Sequence, residues 1–267
     1  MPTVETVRTN GFEMDYFRFG RGEKTLVILP GLSVQSVMPM ADAIAAAYRL
    51  FADDYTVFVF DRRKELPDPY PVRDMARDTA QAFRALGLER VCLMGASQGG
   101  MIALTIAIDY PSLVGKLVVC STSAYVLPDQ FAPVEKWIAL AESGDAKALY
   151  LSFGEAIYPR ETFELSKGLL AKAAESVTDA DLRRFAILAR GIRGFDVVNY
   201  VRRLSCPTFV VGSKDDAVIG DDPVYLIANQ IRMRPDCMFY MYDGYGHAVY
   251  DTAPDFKERV FGFLERE

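Results

Sequence analysis

The segment Val91-Cys92-Leu93-Met94-Gly95-Ala96-Ser97-Gln98-Gly99-Gly100-Met101 restricts the folds open to this chain more than any other. An apolar run of strand length leads into Gly-x-Ser-x-Gly, and an apolar segment from Met101 to Ile108 follows without Gly or Pro. The spacing predicts a strand, a very tight turn and a buried helix, with Ser97 at the apex. A serine in such a turn has strained backbone geometry and is crowded by the residues two positions away on either side. Gly95 and Gly99 remove the side chains that would clash. The hydroxyl is thereby held out over the sheet edge, with the first amides of the helix beneath it. Whether Ser97 is a nucleophile depends on a base and an acid supplied from elsewhere.

The rest of the chain predicts where those partners sit. Glu5 to Gly20 reads as two strands about an Asn10-Gly11 turn. Thr25–Leu29, Thr56–Phe60 and Lys116–Cys120 are further apolar runs, as expected for strands covered on both faces. Helical patterns over about 38–51 and 74–86 separate them, and charged, Pro-containing Asp61 to Pro71 reads as a loop. Alternating strands and helices predict an α/β fold, a doubly wound, mostly parallel sheet that binds ligands at the strands' carboxyl ends. From about 124 to 200 the rhythm changes to helices alone, over 134–143, 146–157, 161–177 and 179–192. The expected organisation is a core of residues 1–123 and 201–267 with a helical cap or lid inserted at 124–200. Among the cap aromatics, Trp137, Tyr150, Phe153, Tyr158 and Phe163 are candidates for lining a substrate pocket. The sheet resumes at Thr208–Val211 and Met238–Met241, and a helix closes the chain.

Composition narrows the partners. With 36 acidic against 30 basic residues and no Lys/Arg block, nucleic acid is not an expected ligand. No stretch has the roughly 18–20 apolar residues of a membrane span, and no signal-peptide pattern opens the chain, so a soluble cytoplasmic protein is expected. The four cysteines show neither C-x-x-C nor metal-ligand spacing, which predicts free thiols and no metal site.

His247 is the only histidine, on the glycine-flanked loop after the last strand. A serine hydroxyl needs a base to take its proton, and imidazole suits that work near neutral pH. A carboxylate should fix the tautomer of that imidazole; Asp215 and Asp216 both follow a strand toward the same edge, and spacing does not choose between them. Two N–H groups must converge on the oxyanion. The backbone amides of Gln98 and of the Pro30-Gly31-Leu32 loop, most plausibly that of Leu32, are the candidates.

Together, Gly95-Ala96-Ser97-Gln98-Gly99, Gly212-Ser213-Lys214-Asp215 and Gly246-His247 resemble the α/β-hydrolase superfamily, in its chain order of serine, acid and histidine. The resemblance spans essentially the whole chain. It implies Ser97, His247 and Asp215 as the catalytic triad, since members place the acid three residues after the glycine, and Leu32 and Gln98 as oxyanion donors. Pro30-Gly31 stands where many members have His-Gly, and Asp61-Arg62-Arg63-Lys64 lacks the glycines common after that strand. The implied activity is hydrolysis of a small carboxylic ester, thioester or lactone through an acyl-enzyme, with no cofactor required. C–C bond hydrolysis, acyl transfer and peracid formation are alternatives on the same triad, and a ligand-binding sensor is the non-enzymatic one.

Overall fold

The computed structural model describes residues 2–266 of the chain. A hairpin of β1 (Val4–Arg8) and β2 (Glu13–Phe19) turns at Gly11, whose φ of +118° suits glycine. Then β3 (Lys24–Leu29), α1 (Ala41–Ala47), β4 (Tyr55–Arg63), α2 (Val72–Ala85), β5 (Val91–Ala96), α3 (Gln98–Asp109) and β6 (Val114–Cys120) alternate. Four helices follow without a strand: α4 (Pro128–Glu142), α5 (Ala146–Ile157), α6 (Arg160–Ala173) and α7 (Asp179–Arg190). The chain ends with β7 (Thr208–Ser213), α8 (Asp222–Ile231), β8 (Met238–Tyr242), α9 (Val249–Thr252) and α10 (Phe256–Leu264).

The sheet has eight strands in the order β1-β2-β4-β3-β5-β6-β7-β8. Only the pairings of β2 with β1 and with β4 are antiparallel, so β3 to β8 all run one way and their carboxyl ends share one edge. Apolar side chains alternate between two cores. Leu26, Ile28, Met94 and Val118 pack with α10 residues on one face, and Val27, Leu29, Leu93 and Val119 pack with α2, α3, α4 and α7 residues on the other. A strand buried on both sides needs an unbroken apolar run, which is why these strands were legible. Helix α3 is buried from Gln98 to Ala107, as an unpunctuated apolar segment requires.

Three elements differ from expectation. The helix expected over 38–51 is a short α1 between two 3₁₀ turns, Met38–Met40 and Arg49–Phe51; Pro39, lacking an N–H, sits in the first turn. Strand β4 continues through Asp61-Arg62-Arg63, because Arg63 pairs with Met14 of β2 and the charged side chains find buried partners. Helix α8 was not anticipated, although Pro223 in its first turn and the buried stripe Val224, Ile227, Ala228 and Ile231 are helix signals. Thr178 caps α7 in a capping box, with the Asp181 amide donating to the Thr178 hydroxyl at 3.2 Å and the Thr178 amide to the Asp181 carboxylate at 2.9 Å. Among the described residues no helix is long and apolar enough to cross a membrane, and all four cysteines are free.

Candidate active site

Ser97 joins β5 to α3 with φ +51° and ψ −122°, a conformation that costs a non-glycine residue of order 1–3 kcal/mol and persists only where its surroundings impose it. Those surroundings are visible. The Ser97 amide donates to the Cys120 carbonyl at 3.0 Å, and its carbonyl accepts from the Thr122 hydroxyl at 2.7 Å and the Met101 amide at 3.1 Å. A Cβ at Gly99 would lie 2.1 Å from the Leu29 carbonyl oxygen, and one at Gly95 2.3 Å from the Gly99 carbonyl oxygen. The two glycines let β3, β5 and α3 close on one another at the turn. A Cβ on Gly31 would sit 3.2 Å from that of Ser97, so the loop after β3 is pressed against the serine.

His247 follows β8 and is only 2% exposed. Its Nδ1 lies 2.7 Å from Oδ2 of Asp216, which is 6% exposed. An ionised carboxylate can only accept, so Nδ1–H donates, and in the neutral ring Nε2 then carries the lone pair. The other oxygen of Asp216 accepts from the amides of Val218 at 2.9 Å and Ile219 at 3.1 Å, which fix the carboxylate.

Asp215 was the expected partner of the imidazole, and the structure corrects that assignment to Asp216. Asp215 points under the histidine loop instead, accepting from the Ser213 hydroxyl and from the amides of Gly244 at 3.0 Å, Tyr245 at 3.2 Å and Gly246 at 3.0 Å. Burial works to raise its pKa, but the Ser213 hydroxyl and the Gly246 and Gly244 amides together hold it below the ordinary carboxylate value. Adjacent acids thus divide two tasks, one holding the ring and one holding the loop. The loop's turn decides which does which, and spacing from Gly212 does not encode that. Asp243, another nearby acid, is spent on an exposed ion pair with Lys214 at 3.1 Å.

Ser97, His247 and Leu32 line one small cavity of about 40 Å3, closed by Met101, Val126, Val134, Trp137, Phe153, Ile157, Ile192, Val218 and Ile219. Of the five candidate cap aromatics, Trp137 and Phe153 reach it and Tyr150, Tyr158 and Phe163 do not. Larger grooves, such as one of about 520 Å3 beside Glu142 and Arg190, include neither Ser97 nor His247. Gln98 opens α3, so its N–H lacks a partner one turn back within the helix. Among the described residues no cluster of three or more His, Cys, Asp or Glu side chains could hold a metal ion.

One group of side chains at the site escaped the sequence reading. Asp61, Arg62 and Arg184 form a largely buried cluster whose Arg62 guanidinium donates to the Pro30 carbonyl at 2.8 Å and the Gln98 side chain at 3.3 Å. The charge of Asp61 and Arg62 reads as a loop; the partners brought by the loop after β3, by α3 and by α7 show otherwise.

Ser97 at its strand-turn-helix junction and the Asp216-held His247 thus line one cavity at the carboxyl edge of a mostly parallel α/β sheet. The family model described as the alpha/beta hydrolase family matches residues 26–257, and the chain belongs to that family. The mouse protein named serine hydrolase BPHL is 28% identical over 233 residues, covering 81% of this chain and 72% of its own length. The putative carbamate hydrolase RutD of Agrobacterium fabrum is 27% identical over 255 residues, covering 90% and 92%. Two solved structures share the fold. MGS-M2, an alpha/beta hydrolase enzyme from a Medee basin deep-sea metagenome library, superposes with a TM-score of 0.87 at 20% identity, covering 98% of both chains. The enol-lactonase from Burkholderia xenovorans LB400 superposes with a TM-score of 0.83 at 17% identity, covering 98% of this chain and all of its own.

Proposed function

We propose that this enzyme is a serine hydrolase acting on small, uncharged carboxylic esters, thioesters or lactones through an acyl-Ser97 intermediate. The observation that carries the reading is the convergence of Ser97 and the buried His247–Asp216 pair on one apolar cavity. Nε2 of His247 takes the Ser97 proton as Oγ attacks the carbonyl carbon, while Asp216 stabilises the imidazolium. The Leu32 and Gln98 amides receive the oxyanion, with the α3 dipole adding to the field. His247 then protonates the departing alcohol or thiol, and water, deprotonated by the same nitrogen, releases the acid and restores Ser97. Residues 124–200 serve as the cap that roofs this chemistry.

The cavity supports a substrate class. Apart from Ser97 and His247 every residue lining it is apolar, so a charged acyl group would be desolvated there without a partner, at a cost of several kcal/mol. Its size is that of only a few water-sized atoms, each needing about 10–15 Å3 by the same measure, which favours acyl chains of roughly two to four carbons. The relatives named as carbamate hydrolases make small carbamates a natural addition to the panel. Chromogenic esters of increasing acyl length, neutral and carboxylate-bearing, test the reading. Short neutral esters should turn over best, and a preference for carboxylate-bearing acyl groups would refute it.

A further inference from the structure

We infer that Arg62 is a positioning residue that fixes the two oxyanion-binding amides relative to one another. The assignment rests on the serine-hydrolase reading above and deepens it. The Leu32 amide belongs to the loop after β3, which has no strand or helix of its own to hold it until the 3₁₀ turn at Met38. The Gln98 amide belongs to α3. The β3–β5 ladder sets their register only as far as Leu29 opposite Gly95, three residues before each amide, yet a developing oxyanion needs both donors within about 0.5 Å of their places.

Arg62 spans that gap. One nitrogen of its guanidinium, Nη2, carries two hydrogens and has two acceptors: the Pro30 carbonyl at 2.8 Å and the Oε1 of Gln98 at 3.3 Å. Pro30 lies two residues before Leu32, and Gln98 is the other amide's own residue, so a single planar group ties both halves of the site. The Gln98 side chain is fully buried, and its Nε2 donates to the Leu188 carbonyl of α7 at 2.7 Å. Asp61 completes the arrangement by accepting from the Ser36 hydroxyl of the same loop, the Arg62 amide at 2.7 Å and Arg184 of α7 at 2.6 Å.

Packing alone does not explain a guanidinium here. Arg62 is 5% exposed, its Nε has no partner among the described residues, and burial pushes its pKa down to about 10. An apolar side chain of similar length would fill the space without that desolvation cost. What the guanidinium supplies is a fixed angle between two acceptors, which neither a methionine nor a lysine reproduces.

The test compares Arg62→Met and Arg62→Lys with wild type on a short neutral ester. kcat is expressed per active site titrated with a fluorophosphonate, so that a misfolded fraction does not enter. Arg62→Met is expected to lose about tenfold to hundredfold in kcat with KM within about threefold, the range expected when donors shift by a fraction of an ångström to an ångström. Arg62→Lys, which retains charge and one donor direction, should fall between the two. A purely structural role would lower the titratable fraction and leave kcat per site alone. A kcat per site within about threefold of wild type, or a loss confined to KM, overturns the assignment. Should Arg62→Met fail to fold, Arg62→Lys and Arg62→Gln carry the same measurement, judged by the same threshold. A wild type that neither labels nor turns over would overturn the functional reading and this inference together, whereas an active wild type with an indifferent Arg62 overturns this inference alone.

Discussion

Replacing each of the adjacent acids in turn separates the two tasks assigned to them. In Asp216→Asn, the amides of Val218 and Ile219 continue to bind the retained carbonyl oxygen, because they donate to Oδ1 at 2.9 and 3.1 Å. The new NH2 group therefore faces Nδ1 of His247, where the carboxylate now sits at 2.7 Å. Two donors cannot share that contact, so the imidazole must move its proton to Nε2, the nitrogen that has to receive the Ser97 proton. The general base is lost without any change of shape. The same substitution in a serine protease triad costs about 10⁴ in kcat, equivalent to about 5–6 kcal/mol, and a similar loss is expected here because the pair is buried. Asp215→Asn removes one acceptor from the turn at Gly244 to Gly246 but leaves the imidazole's partner in place, so its kcat should fall by about tenfold or less. Steady-state hydrolysis of a short neutral ester, per fluorophosphonate-titrated site, gives both numbers. A larger loss from Asp215→Asn than from Asp216→Asn would refute the tautomer argument.

Other expectations bear on stability and specificity. Because Asp215 has a lowered pKa in the folded state, its contribution to stability is complete above the unfolded value of about 4 and is lost as pH falls through the folded value. The gap in Tm between wild type and Asp215→Asn should therefore be full at pH 6–7 and close on acidification below about pH 4; a gap that widens there contradicts the sign. Gly99→Ala must place a carbon 2.1 Å from the Leu29 carbonyl oxygen, so it should cost more than about 4 kcal/mol in urea denaturation or prevent folding, and a near-neutral result would show the elbow to be looser than described. Trp137→Ala and Phe153→Ala should move the acyl-length optimum upward by about two or more carbons, since these rings close the cavity beyond Ser97; an unchanged optimum would place the acyl group elsewhere. Cys120 is fully buried and burial pushes its thiol pKa well up, so it should react with a thiol reagent only on unfolding, and reaction in the folded protein would contradict that burial.

What the sequence disclosed follows a physical division. Buried parallel strands, the glycine-flanked serine and the lone histidine are each written locally: an apolar run, a steric exclusion, a single titratable side chain. The α/β architecture and the residues meeting at its edge could be read from them. The partner of His247 could not, because Asp215 and Asp216 differ only in which way a turn points them. The Asp61–Arg62 cluster was also hidden, since polar residues signal solvent until their buried partners are known. In this chain those partners come from the loop after β3, from α3 and from α7, up to 123 residues away in the case of Arg184. Helix α8 is a different case: Pro223 in its first turn and the stripe Val224, Ile227, Ala228 and Ile231 are written locally, between two strands with stronger apolar runs.

The most direct test of the central claim is covalent: treat the protein with a fluorophosphonate, measure its intact mass and map the modified peptide. One adduct on Ser97 is expected, absent in Ser97→Ala, with ester hydrolysis falling at least about a thousandfold in that variant. An adduct on another residue, or a Ser97→Ala variant that loses less than about tenfold, would contradict Ser97 as the nucleophile.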